Sequence, residues 1–148
     1  MPVYVYFHGG GFIWGTIQSE DATCSRIVAA MPIIVVNVWY RHTPQHLYPT
    51  AHHDALDAFA WIAKKLKSFG GDEQKLIVGG SSVGANLAAT VTRTNLARSG
   101  NARVSVKGLV LTIPVSLPCD ISPYDTNGCR IYEADRWESM LMAGYCSG

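Results

Sequence analysis

The chain has 148 residues, of which 48% are hydrophobic and 16% charged, a composition typical of a globular domain and not of a disordered chain. Its formal net charge of +1 gives no electrostatic reason to expect nucleic acid or an acidic membrane surface as a partner. No apolar run is long enough to cross a bilayer, and Met1 leads into a predicted strand instead of a basic leader, so we expect a cytoplasmic protein without a membrane span.

The first predicted strand covers residues 3–7 and is β-branched and aromatic. It ends in His8-Gly9-Gly10-Gly11, where a strand must give way to an unusual turn. Ser19 is the predicted N-cap of the first helix, because the two acidic residues behind it would then lie in the first turn, where the helix dipole favours them. This helix runs on through Val28, and Pro32 closes it.

The next segments predict a buried strand and a long amphipathic helix. Residues 33–40, IIVVNVWY, are almost continuously apolar, which is typical of a strand covered on both faces and predicts a central position in the sheet. A loop with two prolines, residues 41–49, leads into a helix from about Thr50 to Phe69, which Gly70-Gly71 ends. Its apolar stripe comprises Ala55, Leu56, Phe59, Ile62, Ala63 and Leu66.

Two further strands are predicted at residues 75–79 and 106–113, with a third helix between them that ends near Gly100. Strands and helices that alternate at these lengths imply βαβ units with right-handed crossovers. The sequence therefore predicts an α/β fold with a mostly parallel sheet and flanking helices. Beyond Pro114 the regular pattern fades, and the tail shows only one candidate helix, at about residues 132–142.

A short glycine motif follows the third predicted strand. Gly80-Ser81-Ser82-Val83-Gly84 matches the pattern G-x-S-x-G of a nucleophile elbow and lies between a strand and a helix, as that mechanism requires. Ser82 is the candidate nucleophile, because glycines two residues before and two after it relieve crowding at a strained turn. A bare match can also be a glycine-rich turn with an incidental serine; the flanking elements and a second motif favour the elbow.

The second motif is the glycine loop after the first strand, residues 8–11. It matches the HGGG-type loop whose backbone N–H groups form part of an oxyanion hole. The other donor would be the N–H of Val83, which directly follows the nucleophile at a helix N-terminus. His8 is expected to hydrogen-bond locally and orient the loop. Taken alone, the loop is equally compatible with a flexible turn; its pairing with the elbow favours an oxyanion hole.

Three ordered blocks carry a family resemblance. HGGGFIWG, then YRHTPQHLYPTAHHDAL, then GGSSVGANLAA resemble the successive motifs of the hormone-sensitive-lipase-like esterases, the α/β-hydrolase fold-3 group, which read roughly HGGGF, YRLAPE and GDSAGGNLAA. The resemblance covers residues 1–114 and implies a partial α/β-hydrolase domain followed by an irregular tail at 115–148. It also implies hydrolysis of a small carboxylic ester through an acyl-enzyme, with Gly9, Gly10 and Val83 as oxyanion donors.

This sequence departs from the family pattern at several positions. Ser81, Val83, Ala85 and Gln45 each replace a different residue type, and the β-branched Val83 raises the expectation of a narrowed acyl site or a strained turn. The family's triad runs in the order Ser, Asp or Glu, His, whereas all five histidines precede Ser82. We therefore expect the 148-residue chain to be a truncated hydrolase with impaired activity. Asp120, Asp125 and Asp135 are poor candidates for the triad acid.

Other polar residues have structural interpretations. Arg41 is expected to form a buried ion pair with Asp54 or Asp57 that supports its loop. His52 and His53 are adjacent, so their side chains diverge on a helix, and surface or capping roles are expected for both. The bulky residue after the glycine loop, Trp14, either lines the pocket or serves packing.

The cysteines indicate free thiols in a reducing compartment. They contain no C-x-x-C pair, and no histidine is placed to complete a zinc site, so we expect neither a metal nor a cofactor. The four residues are Cys24, Cys119, Cys129 and Cys146.

Three functional hypotheses remain open. The first is a carboxylesterase or lipase-like enzyme that acts on a small or medium ester or lactone. The second is a non-catalytic pseudo-hydrolase that binds an apolar ligand or a protein. In the third, two chains or a partner chain complete one active site, and exposed sheet edges would in any case favour self-association.

Overall fold

Strands and helices alternate along the chain in the computed structural model, which describes residues 1–97 and 104–115. Short 3-10 turns, Gln18–Glu20 and Leu66–Phe69, adjoin the first and second helices. The α-helices and strands are β1 (Val3–Phe7), α1 (Asp21–Ala30), β2 (Ile34–Val38), α2 (Thr50–Lys65), β3 (Leu76–Ser81), α3 (Val83–Ala97) and β4 (Val106–Thr112).

The four described strands form one parallel sheet in the order β2-β1-β3-β4. The predicted α/β class with a parallel sheet and flanking helices is thus confirmed. Phe7, at the end of β1, pairs with Val38 on one side and with Gly80 on the other. The carboxyl ends of β1 and β3 therefore meet, which brings the loops that follow them together at one edge of the sheet.

The described sheet does not show the predicted central position of β2, because β2 lies at its edge and β1 and β3 occupy its middle. The apolar run still has a physical reason. Ile34 and Val36 pack against the core on one face, while Ile33 and Val35 belong to the core on the other. A strand covered on both faces is apolar throughout, whether or not it has a neighbour on each side.

Side chains of β1 alternate between two cores. Val3, Val5 and Phe7 are fully buried in the larger core, which contains the apolar stripes of α2 and α3. Tyr4 and Tyr6 point to the opposite face, where a smaller core includes residues of α1. The helices therefore cover both faces of the sheet, with α2 and α3 on the side that carries most of the buried apolar surface.

The start of α1 and the end of α2 can be compared with the capping residues that the sequence predicted. Helix α2 passes into a 3-10 turn and ends at Gly70, whose left-handed φ of 84° agrees with the predicted glycine stop. The predicted N-cap role of Ser19 is wrong. Its hydroxyl instead donates to the carbonyl oxygen of Thr16 at 2.7 Å and accepts from the Thr16 N–H at 3.2 Å, a local bond that competes with capping.

Several predictions lie outside the described residues. These are residues 116–148 of the irregular tail predicted at 115–148, with its candidate helix, and the predicted end of the third helix near Gly100. No helix in the described ranges combines the length and the apolar character that a membrane span requires.

Candidate active site

Ser82 lies at the turn between β3 and α3. It is one of three non-glycine residues with positive φ in the described chain, at 53°, a conformation that costs free energy for a residue with a side chain. Its N–H donates to the carbonyl oxygen of Thr112 in β4 at 2.9 Å, and its carbonyl oxygen accepts from the Ala85 N–H at 2.9 Å. The strained turn is thus held from the sheet on one side and from the helix on the other.

The two glycines of the elbow are needed for space. A Cβ atom on Gly80 would lie 2.5 Å from the carbonyl oxygen of Phe7 and 2.5 Å from backbone atoms of Gly84. On Gly84, a Cβ would overlap the carbonyl oxygens of Phe7 and His8. The start of α3 is therefore packed backbone to backbone against the end of β1, and only glycine permits this approach.

The glycine loop adjoins the nucleophile candidate. The position of a Cβ on Gly9 lies 3.6 Å from Cβ of Ser82 and 3.2 Å from the carbonyl oxygen of Ser81. Gly10 has a φ of 121°, and its carbonyl oxygen accepts from the N–H groups of Ile13 at 3.0 Å and Trp14 at 3.1 Å. The Gly10 carbonyl oxygen is thus paired within a tight turn, and the Gly9 end of the loop lies beside the elbow.

His8 fixes the start of that loop. Its side chain is fully buried, and its Nδ1 lies 2.7 Å from the carbonyl oxygen of Gly9. A carbonyl only accepts, so Nδ1 carries the proton. The imidazole also stacks on Tyr40 with ring centroids 4.3 Å apart and planes 12° apart. The contact with Gly9 agrees with the expected local hydrogen bond.

Tyr40 completes this arrangement and was not singled out from the sequence. Its hydroxyl donates to the carbonyl oxygen of His8 at 2.7 Å, and the residue is fully buried. The sequence did contain a feature that could have identified it. A tyrosine at the end of an apolar strand is expected to be buried, and its hydroxyl then needs a hydrogen-bond partner. His8 is thus held through its carbonyl, its Nδ1 and one ring face.

Val83 contributes its backbone to the elbow and its side chain to the larger core. It is only 3% exposed and packs in the core. The expected narrowing of an acyl site or strain of the turn stays a prediction. The residue follows Ser82 as the first residue of α3. The first N–H groups of a helix have no partner within the helix and form the positive end of its dipole.

The predicted ion pair of Arg41 forms with Asp54. The guanidinium Nη2 lies 2.6 Å from Oδ1, Nε lies 2.9 Å from Oδ2, and the backbone N–H of Arg41 also donates to Oδ2. These hydrogen bonds hold the pKa of Asp54 below its usual value and raise that of Arg41. The expectation of a buried pair is wrong, since the Arg41 side chain is 45% exposed; the carboxylate reaches it from a surface helix.

His52 and His42 are packed among aromatic rings. His52 lies 5.7 Å from the ring of Phe12 and 5.2 Å from that of Tyr48, and burial lowers its pKa from 6.5 to about 4. A surface or capping role for His52 is therefore wrong, whereas His53 is exposed. The pKa of His42 is lowered by burial and then by His8, whose ring centroid is 5.4 Å away.

Ser82 has no visible base in the part of the chain that the structure describes. No hydrogen bond joins its hydroxyl there to a histidine or a carboxylate. The same ranges contain no group of three or more His, Cys, Asp or Glu arranged for a metal ion. Asp120, Asp125 and Asp135 lie outside the described residues.

The sequence of this chain matches a family model and several known proteins. A family model for the α/β-hydrolase fold matches residues 4–143. Esterase LipI of Mycobacterium tuberculosis is 40% identical over 92 residues, which are 62% of this chain and 29% of that protein. Ethyl acetate hydrolase of Pseudomonas putida is 41% identical over 93 residues, 63% of this chain and 29% of that protein.

The solved structures agree with these relatives. The carboxylesterase EstE1, cloned from a metagenomic library, is similar with a TM-score of 0.71 and 38% identity, over 77% of this chain and 38% of that one. An esterase of Pyrobaculum calidifontis gives a TM-score of 0.71 and 39% identity, over 76% of this chain and 36% of that one. The chain thus spans well under half the length of the proteins that it matches.

Proposed function

We propose that this chain, which belongs to the α/β-hydrolase fold family among the esterases that resemble hormone-sensitive lipase, carries the nucleophile and the oxyanion hole of a serine carboxylesterase. The observation that supports this most is Ser82 itself: a serine held at a φ of 53° between a strand and a helix, directly beside a glycine loop. Strain of this kind at a non-glycine residue persists where the surroundings over-determine it, which is common at active sites.

The proposed reaction is acyl transfer to Ser82 followed by hydrolysis. The Ser82 hydroxyl attacks the ester carbonyl carbon, and its proton passes to a base and then to the departing alcohol. The N–H groups of Gly9, Gly10 and Val83 stabilise the negative charge that develops on the carbonyl oxygen. Water then cleaves the acyl-enzyme, which releases the carboxylic acid and restores the serine.

The base is the part that this polypeptide does not supply in the family's order. All five histidines precede Ser82, whereas the resemblance implies a histidine later in the chain than the nucleophile. An elbow and an oxyanion hole without a triad histidine retain about 10³-fold catalysis over water in subtilisin. We therefore propose weak or absent turnover for the 148-residue polypeptide.

Covalent labelling tests the nucleophile without requiring turnover. Because a serine without its base is a weak nucleophile, labelling should be slow. At high reagent concentration and long incubation, a fluorophosphonate should add one phosphonyl group with loss of fluoride, and peptide mapping should place it on Ser82. Ser82→Ala should abolish the mass shift, while Ser81→Ala, which removes the neighbouring hydroxyl, should keep it. Labelling of another residue, or labelling that survives Ser82→Ala, would contradict the proposal.

Steady-state hydrolysis of p-nitrophenyl acetate tests the proposed impairment. We expect a rate far below that of an ordinary enzyme, whose turnover is about 10 per second. Turnover at that rate which disappears in Ser82→Ala would show that a base is present, and the impairment proposal would fail while the nucleophile assignment stands.

The relatives reported above are named as esterases or hydrolases and give no support to the pseudo-hydrolase alternative. For the substrate, we propose a small neutral ester, in keeping with the near-neutral net charge. A cytoplasmic location and a hydrolase-like body at residues 1–114 with a tail at 115–148 stay proposals. Cys24, the cysteine within the described residues, is a free thiol and suits a reducing compartment.

We also propose self-association through β4. In the described sheet this strand lies at an edge, and its apolar side chains are exposed on both faces, which favours strand addition by a second chain. The exposed residues are Leu109 (41%), Val110 (46%), Leu111 (42%) and, just beyond the strand, Ile113 (74%).

Sedimentation velocity across a concentration series tests this association. Val110→Lys places a charge on the edge strand and should shift the chain towards a monomer. Val28→Lys, at a residue of α1 that is 50% exposed, is the matched control and should associate like the unmodified chain. A monomer at every concentration would contradict the proposal.

A further inference from the structure

The loop after the glycine motif exposes an unusual amount of apolar surface. Trp14 is 73% exposed, and Ile13 and Ile17 in the same loop are 52% and 43% exposed. Phe12, by contrast, is 4% exposed and belongs to the larger core. The loop therefore has its packing anchor in Phe12, and the exposed indole is not needed for that purpose.

The indole of Trp14 lies close to Gly10 in the glycine loop. A Cβ on Gly10 would lie 2.9 Å from the indole Cδ1 of Trp14 and would overlap the Trp14 carbonyl oxygen. Gly9, the preceding residue, is the one whose Cβ position lies 3.6 Å from Cβ of Ser82. The indole thus lies against Gly10, the residue that follows Gly9, and the side-chain position of Gly9 is directed at Ser82.

The chemistry around the indole selects one class of ligand group. Residues 9–19, GGGFIWGTIQS, contain no charged side chain, so this loop offers no ion pair to a charged group. Large exposed apolar patches with a polar rim commonly mark binding sites. An indole also supplies a broad, rigid face for alkyl or aryl contact at low entropic cost.

We infer that Trp14 is a specificity-determining residue, and that it binds the apolar alkyl or aryl group of an ester whose carbonyl lies against the glycine loop. The inference rests on the proposed function, because the ester carbonyl is placed there by the oxyanion donors. Ile13 extends the same surface. The site consequently favours esters with a longer apolar chain over those with a charged or very short one.

Binding of uncleavable ligands tests this without catalysis. Methyl ketones with alkyl chains from ethyl to hexyl carry the carbonyl and the chain but no ester bond. Because a buried methylene contributes about 0.8 kcal/mol, which is about fourfold in affinity, we expect Kd to fall about twofold to threefold per methylene on this partly open surface. Titrations followed by the NMR signals of the chain provide the Kd values.

Variants at two exposed tryptophans locate the effect. Trp14→Ala should remove most of the dependence of Kd on chain length, and Trp14→Phe should restore much of it. Trp61→Ala is the matched control, since Trp61 is 59% exposed on α2, and should leave the dependence unchanged. A dependence that survives Trp14→Ala, or that Trp61→Ala also removes, would overturn the inference.

A measurement on the unmodified chain covers the case in which Trp14→Ala does not fold. Magnetisation transferred from the ketone alkyl protons to the Trp14 indole supports the inference, and transfer confined to other residues overturns it. Ser82→Ala separates the two proposals, since it should abolish fluorophosphonate labelling and keep the chain-length dependence. Labelling at a residue other than Ser82, with an intact dependence on Trp14, rejects the nucleophile assignment alone. Labelled Ser82 without that dependence rejects the role of Trp14 alone.

Discussion

Two regions at the same edge of the sheet are built in different ways. The elbow region, residues 8–12 and 80–84, is held by backbone packed on backbone, as the overlap of a Cβ on Gly84 with Phe7 and His8 shows. The ion-pair region, residues 39–54, is held by side chains: the Arg41–Asp54 pair and the ring of His52 between two aromatic residues.

The two regions are joined at several points. Tyr40 hydrogen-bonds to the carbonyl oxygen of His8 and stacks on its ring. The N–H and the hydroxyl of Thr43 both donate to the carbonyl oxygen of Phe12, at 2.8 Å and 3.1 Å. The ion-pair region thus supports the glycine loop from outside.

The difference between the regions teaches that close backbone packing fixes the elbow sterically. The ion-pair region also contains contacts that depend on pH or salt, namely the Arg41–Asp54 pair and the ring of His52.

The largest expected effect is that of Gly84→Ala. The added Cβ meets backbone oxygens that have no room to move, so we expect a loss of about 3 kcal/mol or more of unfolding free energy, a large share of a domain's ordinary stability. Urea unfolding gives this value.

Gly108→Ala is the matched control for that measurement. A Cβ there would meet side-chain atoms of Ile77 at 3.5 Å, an ordinary contact, and the change should be neutral or stabilise by up to about 1 kcal/mol. If Gly84→Ala changed the unfolding free energy as little as Gly108→Ala, the elbow would tolerate a side chain. The proposed difference between the two regions would then be wrong.

The second largest expected effect is the pH dependence of the unfolding free energy that His52 causes. Burial lowers its folded-state pKa from 6.5 to about 4, so the unfolded chain binds more protons between these values and stability falls as the pH falls through this window. The loss should be on the order of 2 kcal/mol, once the part of the ring that faces solvent is allowed for.

Urea unfolding at a series of pH values checks this. His52→Gln should flatten the stability curve between pH 6.5 and about 4, and His53→Gln, at the exposed neighbour, should follow the unmodified chain. Identical slopes in all three proteins would mean that His52 is as accessible to protons in the folded state as in the unfolded one.

The smallest effect is expected for the Arg41–Asp54 pair, because its guanidinium is half exposed and such pairs are screened by solvent and salt. The hydrogen bonds from Arg41 lower the pKa of Asp54, so the pair stabilises above the carboxyl's unfolded pKa. This contribution is lost as the pH falls through the folded one.

A double-mutant cycle of Arg41→Gln and Asp54→Asn measures this pair. The coupling should be small at low salt and vanish at high salt, and Asp57→Asn provides a control on the same helix. A coupling that matches the Gly84→Ala effect and ignores salt would erase the distinction between the two regions.

Much of the fold followed from local patterns. The strand at Val3–Phe7 has the predicted bounds, α2 starts at Thr50, and its extension ends at the glycine stop. The elbow was recognisable because G-x-S-x-G and HGGG are short contiguous motifs between elements of clear period. Where a prediction failed, as for the cap at Ser19, a competing local bond with Thr16 decided the geometry.

The sequence by itself thus determined the alternation of strands and helices, the glycine loop and the position of Ser82 along the chain, because each depends on residues near one another in sequence. Only the tertiary structure decided that β2 lies at the edge of the described sheet, that Tyr40 holds His8, and that Val83 packs in the core. These features depend on contacts between segments that are far apart in sequence. Strand order and burial are set by the packing of the sheet and helices as a whole.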